Sequence, residues 1–438
     1  MSAANYLEKY VRALMLGNQL WAARPSTLYL SLHTGDPTDG TSAELLATSS
    51  TEISGKGYSR ISIACSNSNW TIARNVATNA LAISGGASAT ADWGSITHWG
   101  LYDAASRGNL LFHGAFAEAK SITQYGSASF AAGEISIEFA GGVGEVMAFK
   151  VLRYLFQAAS WTNVSTHFLG LGTAADQRQL YGEPVAIEAA SATGYARGTQ
   201  ANTTAKWPAS SSNASNTSNA TGITNFPTAT ADWGTLGYEA ALDAAIVTGK
   251  TWAQLTGATT VTVASVAHGL GSTSTFPANT ALGSLSGTYS SVSTAMVVTL
   301  PVGHGFNTGD LICLTFSGAA LDARYTVTAA TDTTVSVTLA SGVTETGTVT
   351  AAWPLYVDLW FLTSTVAYPT SQRYLVTAIT GVDAFTVTAG NTAASDTTGT
   401  LVYSAANVLH WWPLSTPITV NSTDTTSLPA GGVTMTVD

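Results

Sequence analysis

The sequence predicts an all-β protein with β-sandwich modules in tandem, each carrying a short N-terminal helix, the second module interrupted by an inserted β-domain region. Three observations lead to this prediction. Thr, Val, Tyr and Trp, which favour pleated and half-buried surfaces, fill much of the 438-residue chain. Several short motifs occur twice in the same order. The spacing between the two copies then jumps once, near the end of the second.

Four motifs carry the repeat. They recur in order at displacements of 137 to 140 residues: TLYLSLHT at 27–34 and THFLGLGT at 166–173, GYSR at 57–60 and GYAR at 194–197, ATADWGS at 89–95 and ATADWGT at 229–235, and LYDAA at 101–105 and ALDAA at 241–245. Self-similarity at a fixed spacing is the signature of a repeated structural unit. The sequence therefore predicts that one domain occurs twice.

Each copy opens with a helical pattern. In the first copy, Gly17 stands where a helix would end. The apolar residues before it follow the spacing of one helix face, namely Leu7, Tyr10, Val11, Leu14 and Met15. The corresponding run in the second copy lies at 149–161.

The second copy is interrupted in a loop. After LYDAA the first copy continues through 109–139, whereas the matching text of the second copy stands at 407–437. Asn109 then corresponds to Asn407, displaced by 298 residues. Long insertions survive at exposed loop tips, where the chain ends lie close together. We therefore predict module 1 at 1–148, module 2 at 149–250 and 404–438, and the insert at 251–403.

The insert is itself repetitive. Segment 261–271 resembles 297–307, and 323–340 resembles 372–390. Runs with alternating apolar residues, separated by turn residues, are typical of β-hairpins. The insert is predicted to hold two small β-domains or one tandem β-unit. A polar linker at 208–222 is predicted to be a loop within module 2.

Composition excludes several classes of function. Charged residues make up 10% of the chain and the net charge is −10, which argues against a protein that binds nucleic acid or an anionic membrane. No stretch is apolar enough to predict a transmembrane span, and the N-terminus lacks a signal-peptide core. Cys65 and Cys313 are predicted to be reduced core residues. Surfaces this poor in charge are typical of a protein in an assembly.

Candidate chemical motifs each fail at a required position. TGKT at 248–251 lacks the glycine of a phosphate-binding loop, because Ala244 stands there. His268-Gly269 and His304-Gly305 lack acidic or thiol partners and are interpreted as turns. The pairs Asp92-Trp93 and Asp232-Trp233 are each interpreted as a turn residue followed by a core residue rather than as a sugar-binding site. The aromatic run 410–412 is interpreted as a packing surface. No catalytic, cofactor-binding or metal-binding residue is predicted, and no cofactor.

The order of these motifs resembles a family of bacteriophage virion proteins, often labelled tail fibre or minor tail proteins. The family pattern is a short helix, a strand like LYLSLHTGDPT, a GYSR strand, TADWGSITHWGLYDA, GNLLFHGAF and SFAAGEISIEF. Residues 1–140 are similar over their full length, and the second copy departs at GTAADQ (172–177) and LGYEAALDA. The resemblance implies a structural virion component without catalytic residues.

The expected function is that of a non-enzymatic virion component, tail- or fibre-associated, that mediates assembly or fibre attachment. Its expected partners are itself, as a symmetric homo-oligomer, and other virion proteins, with no nucleic acid and no membrane insertion. The expected location is the virion, assembled in the bacterial host cytoplasm. The alternatives are a head decoration or cement protein, and a receptor-binding protein that contacts host surface glycans through the insert. A tailspike glycosidase would need paired carboxylates and long β-helix repeats, which the sequence does not display.

Overall fold

The chain is nearly all β, as predicted. A computed structural model describes residues 2–17, 19–22, 24–37, 51–85, 88–139, 142–162, 164–173, 188, 194–208, 216–365, 369, 371–430 and 433–436. Within these residues it contains two α-helices and many short strands. No helix of the described residues is both long and apolar enough to cross a membrane. The two-layer sandwich form of each module stays a prediction, and residues 209–215 of the predicted linker lie outside the described residues.

Module 1 is built on a five-stranded antiparallel sheet of order β1-β8-β7-β2-β3. The other strands of module 1 form two smaller sheets, β10-β5-β4 and β6-β9. Its elements are β1 (Ser2–Ala3), α1 (Asn5–Gly17), β2 (Thr27–His33), β3 (Ile61–Ala64), β4 (Trp70–Ala73), β5 (Val76–Asn79), β6 (Ile83–Gly85), β7 (Gly94–Tyr102), β8 (Leu110–Ile122), β9 (Ala128–Phe130) and β10 (Ser136–Glu138). The alternating residues Leu28, Leu30 and Leu32 of β2 are all buried, which gives this sheet its core face.

Module 2 contains a sheet of order β12-β11-β14-β28, which corresponds strand for strand to β3-β2-β7-β8. Its elements are α2 (Glu145–Phe156), β11 (Thr166–Gly172), β12 (Gly198–Ala201), β13 (Asn216–Ser218), β14 (Gly234–Leu242), β28 (Val408–Val420) and β29 (Thr434–Thr436). Ala241 pairs with His410 on β28 as Leu101 pairs with Phe112 on β8. Strand β28 therefore lies beside β14 although the insert separates them in the chain.

The outer part of the insert is a closed barrel of order β15-β16-β26-β25-β24-β27. Its strands are β15 (Val247–Gln254), β16 (Thr260–Ala264), β24 (Tyr356–Phe361), β25 (Gln372–Gly381), β26 (Ala384–Thr388) and β27 (Thr397–Ser404). Val247, at its start, pairs with Tyr403, at its end. The barrel thus begins and ends at one place, as an insertion into a loop requires.

A second unit is nested inside the barrel sequence, between β16 and β24. It is a seven-stranded sheet of order β20-β19-β23-β17-β18-β22-β21. Its elements are a 3-10 helix (Thr280–Leu282), β17 (Ser284–Val292), β18 (Ala295–Thr299), β19 (Leu311–Phe316), β20 (Ala323–Thr326), β21 (Ala329–Ala330), β22 (Thr334–Thr338) and β23 (Glu345–Ala352). Strands β17, β18 and β22 pair as β15, β16 and β26 do. The insert therefore holds two units, one within the other rather than in tandem.

One hydrophobic core runs through module 1, module 2 and the nested unit, whereas the barrel has a core of its own. The nested unit contacts module 1, because Thr78 Oγ1 donates to the Val302 carbonyl at 3.1 Å. It also contacts α2, since a Cβ built on Gly283 would lie 2.9 Å from Cζ of Phe149. The insert thus leaves from module 2 and packs back onto module 1.

All three predicted boundaries fall inside elements of the structure. Helix α2 spans the predicted boundary at 148/149, β15 spans the one at 250/251, and β27 spans the one at 403/404. The boundaries followed the ends of matching text, which need not coincide with the ends of hydrogen-bonded elements.

Candidate functional site

A buried Glu–Tyr–Arg cluster is the clearest side-chain arrangement that occurs twice. In module 1, Arg60 Nε and Nη2 donate to the two carboxylate oxygens of Glu52, both at 2.7 Å. Tyr58 donates to Glu52 Oε1 at 3.1 Å and accepts from the backbone N–H of Leu32 at 3.0 Å. Both charged side chains are buried. We call Glu52, Tyr58 and Arg60 the module 1 clamp.

Module 2 has the same cluster, which we call the module 2 clamp: Glu188, Tyr195 and Arg197. Arg197 Nε lies 3.0 Å from Glu188 Oε1, and Nη2 lies 2.5 Å from Oε2. Tyr195 donates to Glu188 at 2.8 Å and accepts from the N–H of Leu171 at 2.7 Å. The repeated GYSR and GYAR motifs are thereby explained, because residues two apart on an extended chain point the same way. The acidic partner was not found from the sequence.

Each clamp holds the loop that follows one strand of the sheet, which is β7 in module 1 and β14 in module 2. Arg60 Nη1 donates to the carbonyls of Ala104 at 2.9 Å and Arg107 at 2.6 Å. Arg197 Nη1 donates to the carbonyl of Ala244 at 2.7 Å. The guanidinium of Arg60 also lies 3.6 Å over the ring of Tyr102. The clamps therefore fix the loop where the insert begins in module 2.

The ends of this loop are joined by the same bonds in both modules. In module 1, Asn109 donates through N and Nδ2 to the carboxylate of Asp103, both at 2.7 Å. In module 2, Asn407 makes the same two bonds to Asp243 at 2.8 Å, although 164 positions separate the two residues. The loop of module 1 between these residues is 104–108, and its counterpart is the whole of 244–406.

Replacing residues 244–406 with Ala-Ala-Ser-Arg-Gly, the loop of module 1, is expected to give a soluble protein that melts cooperatively. The Asp243–Asn407 bonds and the clamp would close the short loop as they do in module 1. A matched control joins residue 250 to 407 and leaves the first half of β15 without its pairing strands, so it is expected to melt at a lower temperature. Circular dichroism melts of both proteins test this. An insoluble short-loop protein would show that module 2 requires the insert.

The arginine and the tyrosine of each clamp keep their protons near neutral pH, because the pKa of each is raised. Burial opposes the charge of Arg60, but the hydrogen bond and charge of Glu52 prevail and raise the pKa of Arg60; Glu188 does the same for Arg197. Burial, together with the neighbouring carboxylate, raises the pKa of Tyr58 and Tyr195 far above 10. A general acid or base needs a pKa near the working pH, so this arrangement suits a structural tie.

The repeated Asp-Trp pairs lie beside the clamps. Trp93 and Trp233 are buried at 3% and 5% exposure, as predicted for core residues. Their rings stand edge-on to Tyr58 and Tyr195 at 5.3 Å and 5.2 Å. The preceding carboxylates accept backbone N–H bonds at 2.7 Å, from Gln124 to Asp92 and from Ser422 to Asp232.

The histidines of the two histidine-glycine pairs stabilise turns by hydrogen bonds, one in each unit of the insert. Nε2 of His268 donates to the Gly381 carbonyl at 2.7 Å, while Nδ1 accepts from the N–H of Leu270 at 3.0 Å. His304 makes the same two bonds, to Thr331 at 2.9 Å and from Phe306 at 3.1 Å. Both ring nitrogens are occupied, so the turn interpretation accounts for these residues.

Other candidate sites have no catalytic geometry. The run 248–251 lies in β15, where Gly249 has a φ of 66° at a bulge and both Lys250 and Thr251 pair with β27, so the run is part of a sheet and does not lead into a helix as a phosphate-binding loop does. Ser31 and His33, two residues apart on β2, approach at 2.8 Å, a contact the sequence analysis missed. Both are fully buried, and Ser31 donates its proton to the Gly100 carbonyl at 3.0 Å. In the part of the chain that the structure describes, no group of three metal-ligand side chains occurs.

An ion pair joins module 1 to α2 beside a small cavity. Arg74 Nη2 lies 2.6 Å from Glu145 Oε1. The cavity, about 100 Å³, is also lined by Tyr356 and Arg373 of the barrel. This volume is far below that of a small-molecule pocket, so the cavity is a packing feature of the junction.

Comparison with known protein families gives a match over the first module. Residues 2–138 match the family described as podophage GP4 fiber I protein gp80. No curated protein matches the chain. The predicted resemblance to phage tail fibre proteins is thereby confirmed, and the matched region ends with β10 of module 1.

Proposed function

Because residues 2–138 belong to a phage tail fibre-like family, we propose that the chain is a non-enzymatic structural component of a phage virion, attached to its tail or fibre. The family match supports the role of a fibre structural component. The described residues support the non-enzymatic role, since the buried charged groups of the clamps are consumed in structural bonds.

We also propose that module 2 is a second copy of the family module. Its sheet order, its clamp, its buried tryptophan and the Asp243–Asn407 bonds all support this assignment. On this proposal the insert occupies 244–406, in the one loop that each clamp holds.

The observation that carries the proposed role in assembly is the continuous core. It joins both modules and the nested unit, so these parts would move as one rigid block. A block with few charges presents broad uncharged faces suited to contacts with copies of itself and with other virion proteins. Closed cyclic symmetry is the usual form of such assemblies.

The purified protein is expected to form a closed homo-oligomer, and virions are expected to contain it at the tail or fibre. Light scattering after size-exclusion chromatography and cryo-electron microscopy of virions measure these two properties. A monomer at high concentration together with absence from virions would contradict the proposal. Density on the capsid would favour a decoration protein. Loss of adsorption with intact fibres in phage that carry the short-loop replacement of 244–406 would favour receptor binding through the insert.

A further inference from the structure

The two helices start at equivalent places in their own modules. Helix α1 begins beside β8, where the N–H of Ala4 donates to the Leu111 carbonyl at 2.8 Å. Helix α2 begins beside β28, where the N–H of Gly144 donates to the Leu409 carbonyl at 2.8 Å. From this shared start each helix runs toward the other module.

The end of α2 lies in the core of module 1. The ring of Phe156 is fully buried and lies 4.6 Å from the ring of Trp70 and 5.4 Å from that of Phe112. The adjoining Gln157 donates through Nε2 to the Trp70 carbonyl at 2.7 Å. An aromatic side chain in the core of module 1 therefore comes from a helix that begins in module 2.

The end of α1 lies in module 2 in the reciprocal way. Asn202 donates through Nδ2 to the Met15 carbonyl at 3.2 Å. A Cβ built on Gly17 would lie 3.3 Å from Thr204 Cγ2 and 3.7 Å from the Trp207 carbonyl oxygen. Trp207 stands in module 2 where Trp70 stands in module 1, at the displacement of the GYSR motif. The two contacts are thus related by the internal repeat.

We infer that the two modules exchange their N-terminal helices within one chain, and that buried polar residues restrict α1 to module 2. The surface that receives α1 is the core face of module 2, and its partner is α1 of the same chain. This inference does not depend on the proposed virion role.

The core face of module 2 is polar where that of module 1 is apolar. Three buried residues on β11, β14 and β28 replace the residues at equivalent positions of β2, β7 and β8: His167 replaces Leu28, Glu239 replaces Trp99, and His410 replaces Phe112. The rings of His167 and His410 are 5.8 Å apart, and the ring of His167 is 6.0 Å from that of Trp207. The polar positions therefore lie at the place that α1 approaches.

The two helices also differ in polarity: α1 carries buried charged residues where α2 carries apolar ones. Glu8 and Arg12 of α1 are buried and form an ion pair of 3.4 Å one turn apart. The equivalent positions of α2 are Ala148 and Leu152, both buried and apolar. Buried ionic groups are stabilised by polar surroundings, so the polar core face of module 2 suits a helix with a buried ion pair better than the apolar core face of module 1 does. The pattern thus favours one pairing of helix and module.

A cysteine pair tests the exchange directly in the full chain. We expect Gly17→Cys with Thr204→Cys to form a disulfide within one chain, seen as a shifted monomer band on a non-reducing gel. The native Cys65 and Cys313 are buried, and the two single-cysteine variants serve as controls. A dimer band would show exchange between copies, and no cross-link in a folded variant would place α1 elsewhere; either result overturns the inference.

Hydrogen exchange tests the same inference with a milder change. Phe156→Leu gives α2 the residue that α1 carries at its equivalent position, Leu16. We expect amide exchange about tenfold faster in 70–79 of module 1, with 166–172 of module 2 unchanged. Leu16→Ala is the matched control and is expected to accelerate 198–207 instead. Faster exchange confined to the helix's own module would overturn the inference.

The pairing preference has its own test. Ala148→Glu with Leu152→Arg places the ion pair of α1 on α2, against the apolar core of module 1. We expect amide exchange in 70–79 to rise on the order of a hundredfold. Ala148→Met with Leu152→Met, similar in size but apolar, is the control and is expected to raise exchange only about tenfold, through overpacking at the buried Ala148. Equal effects of the two variants would show that polarity does not select the helix.

Discussion

Replacing Arg197 with methionine is expected to lower the free energy of unfolding by about 3–5 kcal/mol. The change leaves the carboxylate of Glu188, whose side chain is 9% exposed, without its guanidinium partner. It also removes the bond to the Ala244 carbonyl at the start of the insert. Urea unfolding followed by tryptophan fluorescence measures the loss.

Two controls separate the ion pair from general packing. Glu188→Gln with Arg197→Met removes both charges and is expected to lose less than the single variant, because no unpaired charge stays buried. Arg60→Met makes the same change in module 1, where Glu52 is 6% exposed, and is expected to cost a similar amount. A loss below about 1 kcal/mol for either arginine would mean that the clamp behaves as an exposed surface pair.

Local patterns in the sequence identified much of this architecture. The repeated tyrosine and arginine belong to the clamps and the repeated tryptophan packs against the clamp tyrosine, so the recurrence of all three marked the positions correctly. Their acidic partner was missed because its spacing differs: Glu52 precedes Arg60 by eight residues and Glu188 precedes Arg197 by nine. The text around the two glutamates also differs, so no motif marks either one.

Long-range packing could not be predicted in the same way. The apolar face of α1 indicated which residues are buried, but periodicity does not identify the module that buries them. The start of α2 at Glu145 was missed because Gly144 precedes it and offers no side-chain cap. Nesting of the two insert units was also hidden, since similar segments look alike whether the units follow one another or one interrupts the other.

Acid is expected to destabilise module 2 through its two buried histidines. Both are fully buried, whereas module 1 has Leu28 and Phe112 at these positions. Burial lowers the pKa of His167 to about 4. Burial, and then the neighbouring His167, lower the pKa of His410 well below its ordinary value.

The sign of the effect follows from proton uptake. In the unfolded chain both histidines titrate near pH 6.5, so above this pH neither state holds the extra proton. As the pH falls from 6.5 toward 4, the unfolded chain binds protons that the folded chain excludes. The free energy of unfolding then falls by about 1.4 kcal/mol per pH unit for each histidine. At about pH 4.5 His167 alone is expected to remove about 2.5 kcal/mol, and His410 acts in the same direction.

The variant His167→Leu with His410→Phe isolates this effect, because it installs the residues of module 1. Its urea midpoint is expected to fall less steeply than that of the wild-type protein between about pH 6.5 and about pH 4.5. Some dependence should persist, since burial also lowers the pKa of His33 in module 1 to about 4. Leu28→Val with Phe112→Leu changes the core at the equivalent positions of module 1 without removing a titratable group, so this control should leave the wild-type slope intact. Parallel profiles for the double variant and the wild-type protein would show that the two core histidines do not govern acid stability, and that other groups do.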